Sequence, residues 1–332
     1  MERIEEKDIQ ILKKKSLTKK VCTLVKRSVL AIVSVSLAVS LATEAEIVVA
    51  KSRFSHDEDY SNALILEGEE RKTAIKELFE SAINSNPYID EEYKVAIINE
   101  FTKRVINNHY EYFTDGVILN MCAVASTEKV RVAPHMVGAI GTYDPFGNTL
   151  SFRESIEEMG TFNKSVLAHE QLHAILRASM FTSGYAIFGI SGAAFNEGMT
   201  SMSNMESTYN KEQDVLIMLA RILNDDSLWK NYFESDFGGL KTELAKYVSM
   251  REVEEFMWYI DFQILKGRFS RYIPSDSTAR VLQRDHEKKE FFEVTSKFLE
   301  KVFEGKYGMK MSEHSWGKLI MESQDGKYVF GV

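Results

Sequence analysis

Apolar residues recur three or four positions apart along most of this 332-residue chain. Such spacing gathers them on one face of a helix, which packs against a core while the opposite face meets water. Pro occurs only four times, so little in the sequence interrupts a helix. The segments with this pattern are residues 67–84, 90–112, 212–224, 240–266 and 285–303. The pattern predicts a predominantly helical body that is large enough to bury a substantial core.

A short stretch between these helical segments has the residues of a β-hairpin. Residues 137–143 and 149–152 are typical of strands, and the turn-forming residues 144–148 separate them. The edge of such a hairpin can bind an extended peptide through backbone hydrogen bonds. Gly141 and Tyr143 are therefore candidate substrate-binding residues, and the alternative is an ordinary structural hairpin.

Residues 164–180 follow the hairpin and predict one mostly buried helix without Gly or Pro. His169 and His173 lie four positions apart in it, which places both imidazoles on one helix face. Glu170 lies between them. The apolar face of this helix consists of Val166, Leu167, Leu172, Ile175 and Leu176.

The residues His169-Glu170-Gln171-Leu172-His173 form an HExxH motif. Zinc hydrolases use this arrangement: the two imidazoles hold the metal, and the Glu takes a proton from water at its open side. Two His on a buried helix otherwise need hydrogen-bond partners. The alternative interpretation is a pair of satisfied core histidines.

A catalytic zinc site takes three protein ligands and keeps one position open. The best candidate for the third ligand is Glu197, twenty-four residues after His173. A connector is predicted by the turn-forming residues at 182–185 and 189–192, and a second helix is predicted from 193 to about 209. This helix can pack antiparallel to the helix that carries HExxH. Glu206 is a second candidate. Glu197 can also be a carboxylate that merely stabilises a helix start.

The HEQLH sequence followed by Asn196-Glu197-Gly198-Met199-Thr200 resembles the gluzincin group of zinc metallopeptidases. The continuation through Tyr209 and Tyr232-Phe233 looks like uncharacterised secreted gluzincin-like proteins of Gram-positive bacteria. The resemblance covers about residues 139–244. It implies a zincin-like core with one Zn²⁺ per chain, held by His169, His173 and Glu197, and Glu170 as the general base.

Two departures limit how far the resemblance extends. The metzincin pattern needs a Gly and a third His where this chain has Leu176 and Ser179, so that pattern is excluded. Several thermolysin-like enzymes have an acidic residue four positions after the Glu ligand, and here that position is Ser201. The groups that orient the metal ligands in this chain must therefore differ from those of the thermolysin-like enzymes. His286 and His314 lie in polar sequence and are expected at the surface.

The reaction also needs a donor for the developing oxyanion. Gluzincins often use a Tyr or His for this purpose, and the resemblance makes Tyr209 the first candidate. Tyr185 and Tyr232 are rivals, and a packing role for Tyr209 is the alternative.

The N-terminus has basic residues up to Lys26-Arg27, then the apolar stretch 29–42 with small residues near its end. This pattern predicts a signal peptide over residues 1–45, cleaved for secretion, because the stretch is shorter than the about 20 residues that span a bilayer. The alternative is an uncleaved anchor with the remainder outside. The predicted regions after it are an N-terminal helical region (46–135), a zincin-like catalytic core (136–245) and a C-terminal helical region (246–332). Residues 46–65 are expected to be mobile, with 56–59 solvated.

Removing residues 1–45, which hold nine Lys or Arg and five Asp or Glu, changes the net charge from −8 to −12. An acidic chain without a basic patch argues against a nucleic-acid partner, and against stable membrane association after cleavage. Only Cys122 remains, so no intramolecular disulfide can form.

Together these features predict an α+β, predominantly helical, secreted zinc metallopeptidase that acts on a peptide or protein substrate. The alternatives are a noncatalytic helical binding protein stabilised by zinc, and a helical interaction protein without metal. Residues 46–135 can also cover the cleft as a propeptide. The substrate and the oligomeric state are open at this point.

Overall fold

The computed structural model describes residues 38–39, 41–136, 140–160, 163–177, 193–203, 210–224, 226–270 and 278–312. Within these ranges the protein is mostly helical, as the sequence predicts, and it has one small mixed sheet. The first helices are α1 (41–54), α2 (Glu58–Ile65), α3 (Gly68–Asn84), α4 (Glu91–Phe101), α5 (Asn107–His109) and α6 (Asp115–Ala125). A π-helical segment, Thr102–Ile106, joins α4 to α5, and the 3-10 turn Tyr110–Tyr112 follows.

The later helices carry the metal motif and the C-terminal part of the body. They are α7 (Ser165–Arg177), α8 (Ala193–Ser203), α9 (Asn210–Leu223), α10 (Ser227–Phe233), α11 (Phe237–Leu244), α12 (Met250–Ser270) and α13 (Thr278–Tyr307). None of the helices within the described ranges is long and apolar enough to cross a membrane.

The sheet contains β1 (Lys129–Val132), β2 (Gly141–Asp144) and β3 (Thr149–Phe152) in the order β1-β3-β2. β2 and β3 pair antiparallel, which confirms the predicted hairpin, and Asn148 in its turn has a positive φ of 46°. Residues 137–139 of the predicted strand lie outside the described residues. β1 pairs parallel to β3 and was not predicted, because its sequence Lys-Val-Arg-Val has no long alternating pattern.

Helix α7 lies at the centre of the packing. It contacts α4 and α6, the strands β2 and β3, and α8. Leu167, Leu172 and Ile175 are each at most 1% exposed, as the apolar spacing of this helix predicts. Helix α7, which carries the HExxH motif, is therefore held in place by contacts on several sides.

The predicted segment 240–266 is two helices rather than one. α11 ends at Leu244 and α12 begins at Met250. Ser249 and Glu252 explain the break, because the Ser249 hydroxyl accepts from the Glu252 backbone N–H at 3.3 Å and the Ser249 N–H donates to Glu252 Oε2 at 3.0 Å. This reciprocal pair is a capping box, which starts a new helix.

The expectation that residues 46–65 are mobile is wrong. Residues 41–54 and Glu58–Ile65 form α1 and α2, and Ile47, Ala50 and Phe54 of α1 lie in the core. The acidic stretch has a local role, because Asp57 caps α2 by accepting from the backbone N–H of Asp59 at 2.9 Å. The apolar residues at helical spacing outweigh the polar composition on which the expectation rested.

Candidate metal centre

Helix α7 presents the HExxH motif as predicted, although it is described only from Ser165 to Arg177. His169 and His173 lie on the same face, with ring centroids 4.7 Å apart and ring planes at 76°. Their side chains are 6% and 13% exposed, so both imidazoles face the interior of the protein rather than bulk water.

Helix α8 brings Glu197 against these two imidazoles. Glu197 Oε2 lies 3.3 Å from His169 Nε2 and 3.3 Å from His173 Nε2, and the two Nε2 atoms are 3.0 Å apart. Glu197 is the fifth residue of α8, beyond its first turn, so a role limited to stabilising the helix start does not fit.

The triangle of three ligand atoms has the size of a tetrahedral zinc site. Zn–N and Zn–O distances of about 2.0–2.2 Å with tetrahedral angles place ligand atoms about 3.3 Å from one another. The observed separations of 3.0, 3.3 and 3.3 Å match this edge length. In the part of the chain that the structure describes, no other three His, Cys, Asp or Glu side chains converge in this way. The site can therefore hold a metal ion.

The charge state of Glu197 suits a metal ligand. Burial by itself raises the pKa of this carboxyl, but the charges and hydrogen bonds of His173 and His169 outweigh burial and hold the pKa well below its usual range. Glu197 is therefore a carboxylate, which offers a negative oxygen between the two imidazole nitrogens.

Asn196 supports the same site from the neighbouring position on α8. Its side-chain amide lies 3.3 Å from His173 Nδ1, the ring nitrogen that faces away from the triangle. A His that binds metal through Nε2 carries its proton on Nδ1 and needs a hydrogen-bond acceptor there. The oxygen of the Asn196 amide is that acceptor when the positions of the amide oxygen and nitrogen are exchanged. The sequence pattern predicted no such role for Asn196. Its position next to a ligand was the available signal.

Glu170, the predicted general base, lies beside strand β2 and is 8% exposed. Gly141 makes this close approach possible, because a Cβ at position 141 would lie 2.5 Å from Val166 Cγ1 and 3.0 Å from Glu170 Cγ. β2 pairs only with β3 among the described residues. An edge strand thus runs along the HExxH helix next to Glu170.

The other predicted site residues are not part of the triangle, or they lie beyond the described ranges. The Tyr143 hydroxyl donates to Asn148 Oδ1 at 2.9 Å. Tyr232 is 1% exposed, and its hydroxyl is 2.7 Å from the Thr200 hydroxyl of α8. Burial raises the pKa of Tyr232 and the charge of Glu197 adds to the increase, so this buried side chain is within reach of the Glu197 charge. Outside the described residues lie Tyr209, Tyr185, Glu206 and His314, whereas His286 belongs to α13.

The opposite face of α7 carries a second buried polar pair that the sequence did not indicate. Gln171 Nε2 donates to Glu128 Oε2 at 2.9 Å, and both residues are 0% exposed. Burial raises the pKa of Glu128 well above its usual range, and the hydrogen bond from Gln171 only partly opposes this. Asn86 donates to the Glu128 carbonyl at 2.9 Å and ties the pair to α3. Nothing in the sequence around Glu128 distinguishes it from a surface carboxylate.

In comparisons with known proteins, no family model matches the chain, and no curated protein and no solved structure does so either. The resemblance to gluzincins therefore stays a prediction. The geometry of His169, His173 and Glu197 is the feature of this chain that bears on its function.

Proposed function

We propose that this protein is a gluzincin-like zinc metallopeptidase with a zincin-like core, and that His169, His173 and Glu197 hold one Zn²⁺. The observation that carries the proposal is the triangle of ligand atoms with edges of 3.0, 3.3 and 3.3 Å. Two helices contribute to it: α7 provides both imidazoles, and α8 provides Glu197, which is 28 and 24 residues further along the chain. A metal ion explains why these three side chains converge.

Zinc, when bound, supplies a Lewis acid that acidifies water and polarises a peptide carbonyl. Glu170 is next to His169 on α7 and has the role of accepting a proton and delivering it to the leaving amine. Its low exposure of 8% limits competition from bulk water. Glu170 is not one of the three converging ligand residues, so the role proposed for it is proton transfer rather than metal binding.

The substrate in this proposal is an extended peptide that adds to the edge of β2. Backbone hydrogen bonds at a strand edge tolerate many side chains. The edge position of β2 among the described strands and its contact with α7 support this placement. Gly141 and Tyr143 belong to this strand, and Tyr209 is proposed as the oxyanion donor on the strength of the family resemblance alone.

The competing function is a noncatalytic module in which zinc only clamps α7 to α8. Structural zinc sites are closed by a fourth protein ligand. Three ligand residues converge within the described ranges, and a carboxylate follows His169 directly, which favours the catalytic proposal. The basic and apolar N-terminal residues support export, so that the enzyme acts outside the membrane.

Zinc content tests the site. We expect one zinc per chain in the purified wild type, the loss of zinc in Glu197→Ala, and retention of zinc in Glu170→Ala, measured by elemental analysis. A wild type without zinc, or zinc that persists in Glu197→Ala, would overturn the proposed ligand set.

Peptide cleavage tests the reaction. Removal of a general acid–base group lowers rates by about 10²–10⁴-fold. We expect Glu170→Ala to lower kcat/KM on a quenched-fluorescence peptide library by about this factor while zinc content is unchanged. Wild-type protein that holds zinc but cleaves no library member would favour the noncatalytic module.

A further inference from the structure

Helix α1 is apolar on two opposite sides. One side packs on the core and is at most 7% exposed; its residues are Thr43, Ile47, Ala50 and Phe54. The opposite side faces away from the core, and we call it the outer stripe; its residues are Leu41, Ala45, Val48 and Val49. Leu41, Val48 and Val49 are 62%, 60% and 69% exposed. An amphipathic surface helix has one apolar side, so the second one calls for an occupant.

Charged residues separate the two apolar sides. At 100° per residue, Glu44 and Lys51 lie along one flank of α1, and Glu46 and Arg53 lie along the other. The Arg53 guanidinium lies 4.6 Å from the ring centroid of Phe54, a residue of the core side. The outer stripe is therefore a bounded apolar surface rather than a scatter of exposed side chains.

We propose that the outer stripe lies in the lipid of the membrane across which the chain is exported, and that the protein stays bound to that membrane. The sequence directly before the stripe gives the first reason. Residues 28–43 are sixteen consecutive uncharged residues, and Lys26-Arg27 precede them. Sixteen residues are fewer than the about 20 apolar residues that a membrane-spanning segment needs. The outer stripe makes up the difference on one side of the helix, because it extends the apolar surface as far as Val49.

Two other occupants fit less well. Residues 28–40 contain no Gly, Pro, Asn or Asp, so the sequence has no turn signal by which they could reverse and cover the stripe. A second copy of the chain would need an interface of about 800 Å² per partner, from roughly 20–30 residues, and the four residues of the stripe fall far short.

The core side of α1 explains why the membrane segment is retained. Cleavage after Ala42 or Ala45 would cut within or at the edge of the first turns of α1, and Thr43 is packed in the core at 4% exposure. The fold thus includes residues that a signal peptidase would remove or expose. This inference is independent of the metal site, and it selects the anchored form over the secreted form.

Lipid contact can be measured directly in the full chain. In a Cys22→Ser background the remaining Cys122 is buried, so Val48→Cys and the matched Glu46→Cys can each carry one environment-sensitive fluorophore. The proteins are reconstituted in phosphatidylethanolamine and phosphatidylglycerol vesicles that contain brominated acyl chains. We expect the probe at position 48 to lose emission to the brominated chains, and the probe at position 46 to keep it.

Either of two results would overturn the proposal. A probe at position 48 that iodide quenches from the aqueous phase shows the stripe in water. A probe at position 48 that neither quencher reaches shows that protein covers it.

Intact mass gives the second test: protein from the membrane fraction of producing cells should retain residues 38–45, whereas a chain in the medium that begins at residue 43 or 46 contradicts the proposal. Thermal unfolding of both labelled variants should match the wild type, which shows that the fold is intact.

Discussion

Glu197 and Glu128 are two carboxyl groups held against opposite faces of the same helix, the first largely and the second fully buried, and their pKa values move in opposite directions. Glu197 lies 3.3 Å from two imidazoles, which hold its pKa well below the usual range despite burial. Glu128 receives one hydrogen bond from the neutral Gln171 amide, and burial raises its pKa. Neighbouring charges, and not burial alone, decide whether a carboxyl is ionised.

This difference separates a ligand from a structural group. A carboxylate beside two imidazoles is prepared to bind a cation, whereas a neutral carboxyl beside an amide forms hydrogen bonds that fix α7 in place. Glu128 Oε1 and Gln171 Oε1 are both buried without a hydrogen-bond partner among the described residues. A proton on Glu128 adds a donor to a pair in which two buried acceptor oxygens have none. The two faces of α7 therefore offer different chemistry: one could bind a cation, and the other forms hydrogen bonds within the core.

The same substitution at both carboxyl groups gives the largest expected contrast. Glu197→Gln removes the negative ligand, and we expect zinc affinity to fall by more than the about 10–100-fold typical of residues that only orient a ligand. Glu128→Gln, the matched control, should bind zinc as the wild type does. Competition with a fluorescent zinc chelator measures both, and equal losses in the two variants would remove the distinction between the faces.

Asn196→Ala tests the group that orients His173. Its amide lies 3.3 Å from His173 Nδ1, so its loss should weaken zinc binding by about 10–100-fold. Asn231 is a suitable control, because its amide donates to the backbone carbonyl of Ser227 in α10, away from the site. Asn231→Ala should leave zinc affinity unchanged in the same chelator competition. An Asn196→Ala variant with wild-type affinity would show that Asn196 has no part in the site.

Gly141→Ala tests the close approach of β2 to α7. The added Cβ would lie 2.5 Å from Val166 Cγ1, so the strand and the helix must separate. We expect a loss of about 1–3 kcal/mol in the free energy of unfolding, as for overpacked cores. Gly160→Ala is the control, because a Cβ there meets nothing within 4 Å. Chemical denaturation compares the two, and similar stabilities would contradict the close packing.

The pH dependence of stability tests Glu128. Burial raises its folded-state pKa, so above the pKa of the unfolded chain the folded protein binds one proton more than the unfolded protein. Its contribution to stability is complete below the unfolded pKa and is lost as pH rises toward the folded pKa. Glu128→Gln keeps the hydrogen bonds without the proton.

We expect Glu128→Gln to match the wild type near pH 4.5 and to become more stable than the wild type as the pH rises to 8, by about 1.4 kcal/mol for each pH unit between the unfolded and folded pKa values. Thermal unfolding across this pH range measures the difference. A constant difference at all pH values would show that Glu128 does not titrate in this way.

Local patterns in the sequence determined much of the fold. The apolar spacing predicts α3, α7 and α9, and the turn residues 144–148 predict the β2–β3 hairpin. The capping box at Ser249 and Glu252 was also readable, although the spacing alone merged α11 with α12. These features depend on residues a few positions apart, for which sequence spacing is a direct measure of geometry.

The sequence also determined which residues could form the metal centre, because HExxH fixes His169, Glu170 and His173 on one helix face. Only the tertiary structure decided that Glu197 meets both imidazoles, that Asn196 reaches His173, and that β2 lies against Glu170. It also decided that Glu128 is buried and that α1 is apolar on two sides. Contacts between distant segments depend on how whole elements pack, and the spacing within one segment does not contain that information.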